Sequence, residues 1–383
     1  MNAKFKKIIP QLLTLTFVAL VFGFFSYNAQ LNMENRGITF GYGFLSQESS
    51  FDVQFSLIEY DGSHTYFRAY LVGLLNTILV SVIGIIFATI IGVVVGIARL
   101  SSNLLINKAA AYYVEFFRNI PLLLQIFFWY FAALRALPLP EKADPIFGVF
   151  FLTIKGLFVP AFIWNNLDIF LYSILAVIIS IIVLRSYSKK LRENQGRQIP
   201  VFYISIGLII ILPLLTFLFG GVTLNFQIPE LEQLAKTSFR FKGGLGLPPE
   251  LIALTLALAL YTATFIAECV RAGIQGVGKG QKEAAASIGL TPNQVLKLVI
   301  MPQALRIIIP PTTNQYLNLT KNSSLAAAIA YPDLVLVFAG TALMQTGRAI
   351  EIVSITMLTY LTLSISISLL MNWYNKKIAI KEK

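Results

Sequence analysis

The run Gly273-Ile274-Gln275-Gly276-Val277-Gly278-Lys279 fills the first seven places of a phosphate-cradling loop. In such a loop the glycines present backbone N–H groups, the lysine reaches the phosphates, and a Ser or Thr in the eighth place holds magnesium. Here the eighth residue is Gly280, no strand pattern precedes the run and no acidic strand end follows it. Any nucleotide site therefore belongs to another polypeptide. A metal or hydrolytic centre fares no better: the sole histidine, His64, lies in Tyr60-Asp61-Gly62-Ser63-His64 without a second His or Cys beside it. The sole cysteine, Cys269, has no partner for an intramolecular disulfide. No catalytic residue, metal ligand or cofactor of this chain follows from its sequence.

Recognition chemistry is better represented. Gly280-Gln281-Lys282-Glu283-Ala284-Ala285-Ala286-Ser287-Ile288-Gly289 is polar and Ala-rich. The pattern predicts a helix over 283–287, a C-cap at Gly289, and a second helix opened by Thr291 at the N-cap and Pro292 at N1. Three alanines in a row leave a flat face that another protein can approach closely. Glu268 and Arg271, spaced i, i+3, stiffen the approach to this elbow. A second polar cluster, Thr312, Thr313, Asn314, Gln315, Asn318, Thr320, Lys321, Asn322, Ser323 and Ser324, follows Pro310-Pro311 inside an apolar region. Paired prolines free backbone carbonyls, and polar groups at such depth face a protein interior or a watery path. Asn314, Gln315, Asn318, Lys321 and Ser324 are the candidate lining, with Asn76 and Thr77 on an earlier span. Hydrogen bonding between helices is the competing reading, and Lys321 either attracts a carboxylate or snorkels.

The elements that hold these residues are lipid-compatible. Of 383 residues, 56% are apolar and 13% charged, against about 25% charged in soluble domains, and the mean hydropathy is +0.73. Stretches long enough to cross about 30 Å of hydrocarbon fall at 8–25, 70–98, 114–137, 167–184, 201–219, 251–270, from near 305 to 319, and 350–373. This predicts an all-α polytopic membrane protein of about eight spans. With the N-terminus inside, the inner segments collect 20 of the 30 basic residues and five of the 18 acids, as the positive-inside rule requires. They include Lys4, Lys6, Lys7, Arg197, Lys381 and Lys383. Both termini and the elbow are then cytoplasmic. The net charge of +12 is spread over five such segments, which argues against a nucleic-acid footprint. The first apolar stretch exceeds a signal-peptide core and lacks a clean cleavage site around Asn28-Ala29, so it reads as a retained span.

Glu283-Ala284-Ala285, then Gly289, then Val299-x-Met301-Pro302 resembles the cytoplasmic loop of the membrane subunits of binding-protein-dependent, ATP-driven importers. Ala267-Glu268-Cys269-Val270-Arg271-Ala272-Gly273-Ile274, Phe117-Arg118-Asn119-Ile120-Pro121-Leu122-Leu123 and Lys321-Asn322-Ser323-Ser324-Leu325 are similar to the polar-amino-acid branch. An added first helix and an inserted pair of helices resemble the larger permease subunit of general L-amino-acid importers. The resemblance implies a type I importer permease-like core in two parts, 67–137 and 250–375, with the coupling loop at 271–305. Around it stand an N-terminal helix and periplasmic segment, 1–66, an inserted hairpin, 138–249, in which 185–197 is a basic link, and a basic tail, 376–383. It implies a bacterial inner-membrane permease whose residues Glu283, Ala284, Ala285, Gly289 and Pro302 meet ATPase subunits that carry the ATP and magnesium. A second, paralogous permease chain, a periplasmic amino-acid-binding protein and membrane lipid complete the expected partners. An ion-coupled secondary transporter or channel for small polar solutes is the alternative, though it would place ionisable groups deeper in its helices.

Overall fold

The computed structural model describes residues 3–35, 41–196, 199–235 and 238–378. The expected charges at Arg197, Lys381 and Lys383 lie outside them, as do the side chains of Lys4, Lys6 and Lys7. The helices are α1 (Ala3–Asn35), α2 (Tyr66–Ala98), α3 (Leu104–Asn119), α4 (Leu122–Phe127), α5 (Leu167–Gln195), α6 (Val201–Phe219), α7 (Pro249–Gln275), α8 (Lys279–Ser287), α9 (Pro292–Gln294), α10 (Met301–Asn322), α11 (Leu343–Thr346) and α12 (Ala349–Ile378). Seven stretches among them are unbroken and apolar enough to cross a membrane: Ile9–Asn28, Tyr66–Ala98, Asp168–Gln195, Val201–Phe219, Pro249–Gln275, Pro292–Ile329 and Ala349–Lys377.

The third expected span, 114–137, is bent by 101° at a break instead of running as one straight helix. The helix stops at Asn119 and restarts at Leu122, because Ile120 precedes a proline and Pro121 takes extended torsions (φ −54, ψ 134). Only if the broken pair Leu104–Asn119 and Leu122–Ala136 counts once does the total reach eight. The span expected from about 305 to 319 is also longer than its apolar core. Helical structure runs over Pro292–Ile329, with a wide π turn at Val295–Ile300. Pro302 explains that turn in part: it has no N–H for the carbonyl four residues back and its ring crowds that position.

The chain divides into two compact units, one made of Met1–Phe117 with Tyr261–Lys383, the other of Arg118–Leu260. In the first, α2 is the central element. Thr65 caps its start, accepting the Arg68 N–H at 3.3 Å. Four glycines mark where neighbours close in. A β-carbon would fall 2.9 Å from the Leu334 Cα at Gly73, 3.2 Å from Leu319 at Gly84, 2.7 Å from Ile266 at Gly92 and 2.8 Å from the Ala267 carbonyl at Gly96. One hydrophobic cluster packs Phe44, Tyr66, Leu334, Phe338, Ala342 and Ile352, and near it Glu351 accepts the Gly41 N–H at 2.9 Å.

In the second unit the basic link is not a loop: α5 runs unbroken to Gln195 and ends at Gly196, whose φ of +69 suits glycine. Around α5 and α6 the described residues of this unit form seven short strands: β1 (Phe151–Thr153), β2 (Gly156–Val159), β3 (Ala161–Asn165), β4 (Thr223–Gln227), β5 (Glu230–Ala235), β6 (Ser238–Lys242) and β7 (Leu245–Leu247). All pair antiparallel, in the order β1-β2-β7, β3-β4 and β5-β6.

Candidate functional site

The elbow is built as its sequence predicts, with a longer first helix. α8 spans Lys279–Ser287, and Gly289 follows at φ +81. The Gly289 N–H reaches the Ala286 carbonyl at 3.0 Å and the Leu290 N–H reaches Ala285 at 3.3 Å, closing the helix end. Thr291 and Gln294 then form a capping box: the Thr291 N–H donates to Gln294 Oε1 at 2.9 Å. Pro292 takes the first helical position. The flat alanine face is divided, because Ala285 is buried while Ala284 and Ala286 face outward with Glu283. The two most exposed large apolar side chains here are Ile288 at 77% and Leu298 at 64%. The sequence reading missed both, although an isoleucine beside a capping glycine is a visible signal. The loop-like run 273–279 forms the end of α7, a turn and the start of α8.

Above the elbow, Glu268 is held from two sides. Its Oε2 accepts from Arg271 Nε and Nη2, each at 2.9 Å, and its Oε1 pairs with Arg99 at the C-terminal end of α2. Arg271 also donates to Gln275 Oε1 at 2.7 Å. The Glu268–Arg271 pair follows from i, i+3 spacing. Arg99 is a partner that only the fold supplies.

On α10, Asn314, Asn318 and Lys321 are all exposed, and their i, i+4, i+7 spacing puts them along one face. Gln315 is half-buried beside them. The hydroxyls of Thr312 and Thr313 instead donate to the Ile308 and Ile309 carbonyls at 2.7 and 2.9 Å. Lys321 and Ser324 open onto a groove of about 480 Å³, whose other walls include Val335, Thr356, Tyr360 and Ser364.

Asn76 and Thr77 sit elsewhere. Both are fully buried and hold the connection 331–334. Asn76 Nδ2 donates to the carbonyls of Phe55 at 2.8 Å and Pro332 at 2.9 Å. The Leu334 N–H donates to Thr77 Oγ1 at 3.0 Å, and the Tyr331 hydroxyl to the Asn76 carbonyl at 3.1 Å. Asp333, in the same connection, accepts the Leu336 N–H at 2.9 Å and lies 3.5 Å from the Tyr360 hydroxyl of the groove. Burial pushes the Asp333 carboxyl up to about 7. His64 stays in a surface turn, its Nδ1 3.0 Å from Asp61 Oδ1, and the Ser63 hydroxyl and N–H hold the Asp61 carboxyl below its usual range.

The model of the family described as "binding-protein-dependent transport system inner membrane component" matches residues 84–380. The chain is 49% identical to the YhdX protein of Escherichia coli K12, over 97% of this chain and 94% of that one. It is 46% identical to the general L-amino acid transport system permease protein AapQ of Rhizobium johnstonii, over 100% and 94%. Identity is 39%, over 100% and 96%, with the glutamate/glutamine/aspartate/asparagine transport system permease protein BztB of Rhodobacter capsulatus.

Proposed function

The chain belongs to the inner membrane components of binding-protein-dependent transport systems, and from that premise we propose that it carries polar L-amino acids of broad range. It is the multi-pass inner-membrane permease of an ATP-driven amino-acid importer, with ATPase and binding-protein partners. It is not itself an ATPase, and it needs no cofactor of its own. Family membership sets aside the ion-coupled transporter or channel.

In this reading both termini and the elbow are cytoplasmic. Glu283, Ala284, Ala285, Gly289 and Pro302 form the part that the ATPases grip, with Ile288 and Leu298 as apolar anchors. A second permease chain, a paralogue of this one, closes the path from the other side, and a periplasmic amino-acid-binding protein delivers the cargo. Asn314, Gln315, Asn318, Lys321 and Ser324 line that path, while Asn76 and Thr77 hold its wall in place. ATP-driven closure of the motors moves the elbow and reopens the path on the opposite face.

The single observation that carries the path assignment is the exposed face Asn314, Asn318, Lys321 on a membrane-spanning helix. Amides and an ammonium facing hydrocarbon are costly, whereas facing a watery path they are solvated and the Lys321 ammonium can meet a substrate carboxylate. Asn314→Ala, Asn318→Ala and Lys321→Ala are expected to raise the half-saturating amino-acid concentration for uptake by roughly ten-fold, the largest effect at Lys321, with assembly unchanged. Unaltered uptake affinity and selectivity in normally assembled variants would remove the assignment.

A further inference from the structure

The inserted hairpin ends in a feature that neither the elbow nor the proposed path includes. Helices α5 and α6 pack on each other, and the strands that continue them pair so that Asn165 lies opposite Thr223. At about 1.5 Å of rise per residue on each helix, that register sets Phe202 and Tyr203, in the first turn of α6, level with Arg185 to Tyr187 on α5. α5 continues to Gln195, about 12 Å further. Arg185, Lys189, Lys190 and Arg192 stand on this stretch against one acid, Glu193, and all five side chains are exposed. Glu193 comes no closer than 4.0 Å to Lys189, a weak surface pair. Arg185, Lys189 and Arg192 fall at i, i+4 and i+7, hence along one face. Tyr187, Phe202 and Tyr203 are 57%, 71% and 74% exposed, which puts a belt of aromatic rings where the apolar helices give way to charge. α6 has no buried residue.

We propose that this basic end of the hairpin is a binding surface for anionic lipid headgroups, which anchors the inserted helices at the membrane face. Charge complementarity and position select the occupant together. The cations begin where the apolar helix leaves the hydrocarbon, at headgroup depth, and basic clusters next to a span attract anionic lipid. A face of three cations about 10 Å long can meet the phosphodiesters of adjacent lipids, while the aromatic rings sit below them at the interface. The assignment is independent of which residues line the path.

The test uses the full-length chain in nanodiscs of phosphatidylcholine alone or with phosphatidylglycerol, reading hydrogen exchange over 185–195. Exchange there is expected to slow several-fold with phosphatidylglycerol, and the slowing to disappear in R185Q/K189Q/K190Q/R192Q. Raising salt to about 0.5 M shortens the screening length severalfold and is expected to abolish the slowing in the unmodified chain, which gives a reading that needs no variant. Equal exchange in the two kinds of disc overturns the proposal. So does protection in phosphatidylcholine discs brought about by inorganic phosphate, or by the ATPase subunits, since either would assign the surface to another partner.

Discussion

Gly289 and Gly73 are both glycines for reasons the structure separates. At Gly289, φ is +81 and no atom lies within 4 Å of a would-be β-carbon, so torsion alone limits the position. A β-branched residue there costs about 1–3 kcal/mol of backbone strain, which tilts α8 against α9 instead of unfolding the spans. Gly289→Val is therefore expected to leave the amount of protein in the membrane unchanged and to reduce binding-protein-stimulated ATP hydrolysis by the reconstituted complex about ten-fold. Wild-type stimulation in that variant would show that the elbow does not couple. At Gly73 the limit is space: a β-carbon would stand 2.9 Å from the Leu334 Cα. Gly73→Ala is expected to cost about 1–3 kcal/mol through overpacking, read as a lower thermal midpoint of the purified chain. An unshifted midpoint would mean that 331–334 yields freely.

The connection 331–334 is an element made by contacts distant in sequence. Its buried Asp333 accepts the Leu336 N–H and lies 3.5 Å from the Tyr360 hydroxyl. The ordinary carboxyl value is 3.8 and the folded one about 7, so between those values the folded chain keeps a proton that the unfolded chain has lost. The contribution of Asp333 to stability therefore falls as pH rises from about 4 to about 7 and is level above that. Asp333→Asn is expected to remove this slope from the thermal midpoint measured over that range; a parallel slope in the variant would locate its origin elsewhere. None of this was legible beforehand, because Asn76 and Pro332 are joined only by the fold. The elbow was legible because helix, capping glycine, N-cap and proline are neighbours in the chain. The seven strands escaped because they are short and lie in Pro-, Gly- and aromatic-rich segments, where periodicity has too few residues to register. The break at Pro121 was hidden by apolar residues on both sides: composition reports solubility in lipid, not continuity of a helix.

At the scale of the molecule, the asymmetric distribution of charge is the basis of the proposed threading, with the elbow in the cytoplasm. Cys269 is the only cysteine, so Cys269→Ala clears the background for a single Ile288→Cys, placed where the native side chain is 77% exposed. A membrane-impermeant maleimide is expected to label it only after spheroplasts are opened, and labelling of intact spheroplasts would invert the topology. The spans other than the one broken at Pro121 were legible from apolar length, whereas the close approaches along α2 needed the fold. Those approaches restrict motion. Gly73 meets Leu334, Gly84 meets Leu319, Gly92 meets Ile266 and Gly96 meets Ala267 and Val270, so one 33-residue helix is keyed to three other parts of its unit. Interlocked surfaces cannot slide or spin past one another without a clash at several stations. Torque applied near Arg99 must then swing the whole rod, and the Asn76 and Thr77 fastening in its N-terminal half travels in the same stroke.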